Sequence, residues 1–113
     1  MFIFFRLLLI ALLFKLSSSS TTDITGKVIG KVLNEKAVPF KNSVVSLASD
    51  SLVVRMTRTN DKGYFLFDKL PKGNYRILIM LTGYEKYTTG FFQLTERKSS
   101  REFGEITLRE SSN

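Results

Sequence analysis

The chain has 113 residues, 17 Lys+Arg against 10 Asp+Glu, and no His, Cys or Trp. That length holds one small domain. Without His or Cys there is no zinc site of the usual nitrogen/sulfur type, no haem ligation by those residues, no Ser-His-Asp or Cys-His machinery and no disulfide framework, so stability has to come from a packed core.

The first segment differs in kind from the rest. Arg6 precedes the apolar run Leu7, Leu8, Leu9, Ile10, Ala11, Leu12, Leu13, Phe14, and Ser17 to Ser20 follow as small residues. A charged start, a short apolar run and a small-residue exit describe a secretory signal peptide, and the run between Arg6 and Lys15 is short for a spanning helix. We assign 1–20 to a helical signal peptide, 21–110 to a folded domain and 111–113 to a polar tail, with the polar stretch from Glu110 onward expected to lack order. No Cys follows the apolar run, which excludes a lipid-anchored lipoprotein.

From Thr22 onward the apolar period is two. Ile24, Gly26, Val28, Gly30 and Val32 alternate with Thr25, Lys27, Ile29, Lys31 and Leu33, which predicts a strand with one apolar and one mixed face. Gly30 within it predicts a bulge or a close approach by another backbone. Asn34-Glu35-Lys36 breaks the pattern, and Pro39 fixes the chain before the next segment. Ser43 to Ala48 and Leu52 to Thr59 read as two strands joined by the turn Ser49-Asp50-Ser51. Asn60-Asp61-Lys62-Gly63 is a turn in which Gly63 takes positive φ, and Phe65 and Phe67 lie on one face of the strand that follows. Pro71-Lys72-Gly73 turns the chain again. Tyr75, Ile77, Ile79 and Leu81 alternate with Arg76, Leu78 and Met80, so Asn74 to Leu81 is apolar on both faces and is expected at the centre of a sheet. Gly83 ends it. Tyr84 to Thr88 and Phe91 to Thr95 give one or two more strands, Arg97 to Arg101 reads as a charged loop, and Phe103, Ile106 and Leu108 form a last short strand. About seven short strands with turns at this spacing predict an all-β sandwich.

Several runs together resemble the carboxypeptidase regulatory-like domain. They are Gly26 to Asn34, Val38-Pro39-Phe40, Ser43 to Leu47, the turn and strand Thr59-Asn-Asp-Lys-Gly-Tyr-Phe-Leu-Phe67, the turn Leu70-Pro-Lys-Gly-Asn-Tyr75, and Gly83-Tyr84. The resemblance spans Thr22 to Leu108. It implies a prealbumin-like (transthyretin-like) Greek-key β-sandwich in which Gly30, Pro39, Gly63, Phe65, Phe67, Pro71, Gly73, Tyr75 and Gly83 are fold residues. Such domains are non-catalytic companions of metallocarboxypeptidases. They also follow the signal peptide of outer-membrane proteins related to TonB-dependent receptors, and Gly104 to Glu110 resembles the strand that leads into the plug and barrel. No barrel fits before Asn113, since even eight strands of about ten residues exceed the space. The expectation is therefore a free-standing domain or a truncated relative of a receptor, placed in the periplasm or at the outer membrane.

An enzyme is disfavoured. Carboxylates stand at Asp50, Asp61, Asp68, Glu85, Glu96, Glu102 and Glu105, and a pair of them could support glycoside hydrolysis, but Asp50, Asp61 and Asp68 sit at or beside turns, where Asp bonds locally. Hydrolases of the transthyretin-like fold rely on His. Asn60, Asp61 and Asp68 lack the acidic ladder of a calcium loop, so neither a metal nor any cofactor is expected. Setting Arg6 and Lys15 aside still leaves a basic excess, but it is scattered, and nucleic acid is not an expected partner. Two readings of function stay open. One is an accessory or interaction module for an envelope or outer-membrane protein, with the mixed face of Thr25 to Leu33 a candidate edge for strand pairing. The other is a small carbohydrate-binding module, for which Tyr84, Tyr87, Phe91 and Phe92, with Tyr64, are the candidate contacts. The same aromatics serve equally as the rim of the core.

Overall fold

The computed structural model describes residues 24–112, and the segment assigned to the signal peptide lies outside them. Eight strands run in chain order: β1 (Gly26–Asn34), β2 (Val44–Ser49), β3 (Leu52–Arg58), β4 (Tyr64–Leu70), β5 (Gly73–Ile79), β6 (Tyr87–Thr88), β7 (Phe92–Leu94) and β8 (Ser100–Leu108). Among the described residues no helix is long and apolar enough to cross a membrane. One sheet has the order β4-β1-β8; the other has β3-β2-β5-β6, with β7 also pairing β5. β1 and β8 run parallel, and the other pairs are antiparallel.

The core lies between the sheets because each inner strand turns every second side chain inward. Val28 and Val32 of β1, Val45 and Leu47 of β2, Phe65, Phe67 and Leu70 of β4, Tyr75, Ile77 and Ile79 of β5, and Ile106 and Leu108 of β8 are all buried in one cluster. Burying each such side chain contributes roughly 1.5–3 kcal/mol, and with no disulfide this cluster carries the fold. β5 has β2 on one flank and β6 and β7 on the other, which agrees with its apolar character on both faces.

The segment expected to give one or two strands gives two, β6 and β7, which makes eight among the described residues. The structure differs from expectation at four places. β1 is not an edge: it has β4 on one side and β8 on the other, so its mixed face offers no free ladder to a partner strand. β8 starts at Ser100, inside the expected charged loop. Its first half is exposed and polar and so carries little strand signal, but it is held by the parallel ladder Lys27↔Ser100 to Ile29↔Glu102. Gly73, expected in the turn, already belongs to β5, and the left-handed residue nearby is Lys69 (φ 52°), within β4 where the β1–β4 register shifts. The end of the domain is also tied down further than expected: Glu110 bridges Tyr84, and the Ser111 N–H donates to the Gly83 carbonyl at 2.9 Å.

Gly30 carries both parts of its expectation in altered form. The β1–β8 register shifts between Ile29 and Lys31, which is the bulge. The close approach comes from a side chain, because a Cβ at Gly30 would lie 2.6 Å from the Phe65 ring.

Two Asn turns repeat one device. The Asn34 Oδ1 accepts from the Lys36 and Val38 N–H groups, both at 2.9 Å, and the Asn60 Oδ1 accepts from Lys62 N–H (3.0 Å) and Tyr64 N–H (2.9 Å). Each carboxamide oxygen thus reinforces a turn that the backbone also closes, through Ala37 N–H to the Asn34 carbonyl and Gly63 N–H to the Asn60 carbonyl, both at 3.0 Å. Asn60→Ala is expected to cost about 1–2 kcal/mol in urea unfolding, and Asn60→Asp, which keeps the acceptor, much less.

Candidate functional site

The fold separates the candidate aromatics. Phe91 and Phe92 are adjacent on extended chain and point opposite ways. Phe92, in β7, is buried, with its ring 6.4 Å from Tyr75 and 5.1 Å from Phe103. The Arg101 guanidinium caps this group at 5.2 Å from the Phe103 ring and 5.9 Å from the Phe92 ring. Phe91 faces out, 58% exposed, with the Arg76 guanidinium 5.3 Å from its ring; the Nε of Arg76 is buried there without a hydrogen-bond partner. Tyr84 packs edge-on against Phe40 at 4.9 Å and 84°, and both are partly buried against the core. Tyr87, in β6 opposite Ile79, is likewise half-buried on the core. Among the described residues no ring contact joins Tyr84, Tyr87, Phe91 and Phe92 to one another, and only Phe91 presents most of its ring to solvent.

Tyr64 lies on the other sheet. Its ring is 49% exposed on the outer face, beside a shallow groove of about 240 Å³ lined by Ile29, Gly30, Lys31, Glu102, Gly104 and Glu105. The groove forms where the bulge in the β1–β8 ladder coincides with Gly104, which takes φ 64°. The Lys31 ammonium lies 5.0 Å from the centroid of the Tyr64 ring. The arrangement offers one apolar surface with both signs of charge at its rim. Sequence reasoning names Tyr64, Glu102 and Glu105 separately but has no means to join them, because no local pattern sets Glu102 in a strand beside β1.

Tyr75 shows how completely the fold residues are used. Its hydroxyl donates to the Pro71 carbonyl at 2.7 Å and closes the turn into β5. Burial pushes its phenol above the ordinary range, with the nearby Arg55 charge partly opposing this. A phenol whose folded pKa is raised contributes stability that is complete below the unfolded value of 10.0 and is lost as pH climbs through the folded value. Ultraviolet titration is therefore expected to show one of the four tyrosines ionising late. Tyr75→Phe should remove that step and cost about 1 kcal/mol at neutral pH.

Ion pairing makes little local structure. The Lys72–Glu96 ion pair (3.0 Å) is exposed at both ends and contributes little. Asp50 sits at positive φ (56°) in the β2–β3 turn, Asp61 lies in the turn before β4, and Asp68 lies near the end of β4. Among the described residues no group of three or more His, Cys, Asp or Glu could hold a metal ion.

Solved structures share the fold at low identity. Klebsiella pneumoniae 5-hydroxyisourate hydrolase matches with a TM-score of 0.58 at 17% identity, over 77% of this chain and 92% of that one. A streptococcal ancillary pilin matches at 0.58 and 19% identity, over 80% and 34% of the two chains. A chain of a type II cohesin–X–dockerin complex from Acetivibrio cellulolyticus matches at 0.58 and 15%, over 75% and 58%. This chain thus spans about a third of the pilin and somewhat over half of the cohesin–X–dockerin chain. These likenesses establish the expected prealbumin-like sandwich. No curated protein sequence matches the chain. The model of one family covers residues 17–109, and on that match this chain belongs to the carboxypeptidase regulatory-like domain family.

Proposed function

We propose that the protein is an exported, non-enzymatic accessory or interaction module that engages an envelope or outer-membrane protein, of the type attached to TonB-dependent receptors. The observation that carries this reading is the use made of the aromatics. Phe92 is spent in the core and Tyr84 and Tyr87 are packed on its rim, so among the described residues this segment forms no stacked surface of the kind a sugar site needs. The signal-peptide pattern of residues 1–20 supports export. The cohesin–X–dockerin neighbour is part of a complex, and we carry that kind of role, a sandwich working within an assembly, to this chain as part of the proposal. The periplasm or the outer membrane is its proposed location.

The test is affinity capture from a Gram-negative envelope extract with the tagged protein, against a core-destabilised variant as control. Reproducible enrichment of one outer-membrane receptor component by the folded protein alone is the expected result. Equal recovery by both baits would overturn it.

A second reading, a secreted carbohydrate-binding module, is favoured by one observation only: the Tyr64 groove, where an exposed ring sits beside Lys31, Glu102 and Glu105. In that reading the contact residue is Tyr64, not the Tyr84–Phe92 segment.

A further inference from the structure

Two cross-strand rows run over the outer face of the β4-β1-β8 sheet. Leu66, Ile29 and Glu102 stand opposite one another in the first, and Tyr64, Lys31 and Glu105 in the second. Glu102 and Glu105 are three residues apart, a spacing that sets side chains on opposite faces of a regular strand. The bulge changes this. Gly30 alone faces both Phe103 and Gly104, and Gly104 takes φ 64°, so both carboxylates rise from the same face. Their charge is not answered within the chain. Lys31 lies directly across from Glu105, yet its ammonium is turned the other way, 5.0 Å from the centroid of the Tyr64 ring. Lys27, on the same face opposite Ser100, pairs with neither carboxylate. Among the described residues Glu102 and Glu105 have no ion pair and no side-chain hydrogen bond, and both are exposed. The floor between them and Tyr64 is apolar, made by half-buried Ile29 and the bare backbone of Gly30 and Gly104.

We propose that this groove receives an arginine side chain of the protein partner, with its methylene stem over Ile29 and its guanidinium held by Glu102 and Glu105. The inference rests on the reading that the partner is a protein, and it names the surface that the partner meets. Charge decides the occupant. The unengaged charged groups of the groove are both carboxylates, which only accept, and a guanidinium only donates. An anion would meet two like charges. A neutral sugar would leave both charges unanswered. The groove lining carries two negative charges and one positive, so one added cation brings it to neutrality. The dimensions favour arginine over lysine. From β4 to β8 is two strand spacings, about 10 Å, which gives an extended stem room to lie across β1. Glu102 and Glu105 rise two β1 positions apart, about 7 Å, which suits a planar five-donor fork better than a compact ammonium.

The test titrates the full chain, purified after export, with the peptide acetyl-Gly-Arg-Gly-amide and follows backbone amides by NMR. The same peptide with citrulline in place of arginine keeps the shape without the charge and is the control. Saturable shifts at Ile29 to Lys31 and Glu102 to Glu105 are expected in the millimolar range for the arginine peptide, fading as salt is raised, and none for the citrulline peptide. Glu102→Gln/Glu105→Gln should weaken binding by at least about fivefold with the unfolding midpoint unchanged, since both side chains are exposed. Lys31→Met removes the one cation of the lining and should tighten binding by about twofold or more. Silence at those amides, equal shifts with citrulline, indifference to the Glu pair, loss of binding on Lys31→Met, or a larger response at the same amides to a neutral oligosaccharide or to inorganic phosphate would each overturn the proposal. Affinity capture separates this failure from that of the accessory reading. A receptor component recovered by the native protein and lost with Glu102→Gln/Glu105→Gln is the expected result. Undiminished recovery by that variant overturns the groove alone, whereas no recovery by the native protein overturns the accessory reading and the partner assigned to the groove with it.

Discussion

Truncating Phe65 to alanine should destabilise the domain by about 3–5 kcal/mol, among the largest effects open to a single substitution here. Phe65 is fully buried, packs edge-on against Phe67 at 6.0 Å, and covers the backbone of β1 at Gly30. The converse change is instructive. Gly30→Ala places a Cβ 2.6 Å from two atoms of the Phe65 ring, so the ring must move, at about 1–3 kcal/mol. The two positions fill one space between them. The double variant Gly30→Ala/Phe65→Ala should therefore cost less than the sum of the single changes, by about 1 kcal/mol or more in a denaturant cycle. Strict additivity would mean that Gly30 is a glycine for some reason other than the ring.

Gly63→Ala is expected to cost about 3 kcal/mol or more, through backbone strain combined with steric overlap. Gly63 has φ 84°, and a Cβ there would lie 2.7 Å from the Val32 carbonyl oxygen and 2.9 Å from the Pro39 Cβ. These are not flexible ends that can swing aside. The Gly63 carbonyl accepts from the Val32 N–H at 2.9 Å, and the Phe40 N–H donates to the Val32 carbonyl at 3.0 Å. Relieving the overlap would thus loosen the contact of β1 with both the β4 turn and the Pro39 segment. For a domain of this size the loss corresponds to a fall in melting temperature of at least about 12 °C. By contrast, at Gly83 (φ 90°) nothing lies within 4 Å of where a Cβ would stand, so Gly83→Ala carries the strain without the overlap and should cost distinctly less.

These cases show which features a sequence carries and which it does not. Gly63, Phe65 and Phe67 were legible because a turn and the strand after it are set by neighbours in the chain. Asn60 through its side chain, Gly63 through its φ and the two rings through their period of two all act within eight residues. β5 was legible for the same reason, since both of its faces are apolar over consecutive residues. The edges of the sheets were not. β1 and β3 both read as strands, and only the long-range ladders β1–β4, β1–β8 and β2–β3 decide that the first is interior and the second has a free side. The first half of β8 was lost because a strand exposed along that length has no apolar period to read. Lys69 escaped because a lysine at positive φ has no composition signal.

The candidate site divides in the same way. The opposite facing of Phe91 and Phe92 follows from their adjacency on extended chain. The position of Tyr84 does not, because it is set by Phe40, which arrives from a loop more than forty positions earlier. The Tyr64 groove also depends on two strands distant in sequence meeting at a bulge. Aromatic content alone marked a region, and the tertiary pairing decided which rings were free.

In the proposed function Tyr84, Tyr87 and Phe92 serve the core and the partner is another protein. Its most direct test is a glycan array probed with the purified protein, with Tyr84→Ala and Tyr64→Ala run beside it and the unfolding free energy of each recorded. We expect a silent array and a clear loss of stability for Tyr84→Ala. A glycan signal abolished by Tyr84→Ala at undiminished stability would contradict the account, and one abolished by Tyr64→Ala would transfer the function to the groove on the β4-β1-β8 sheet.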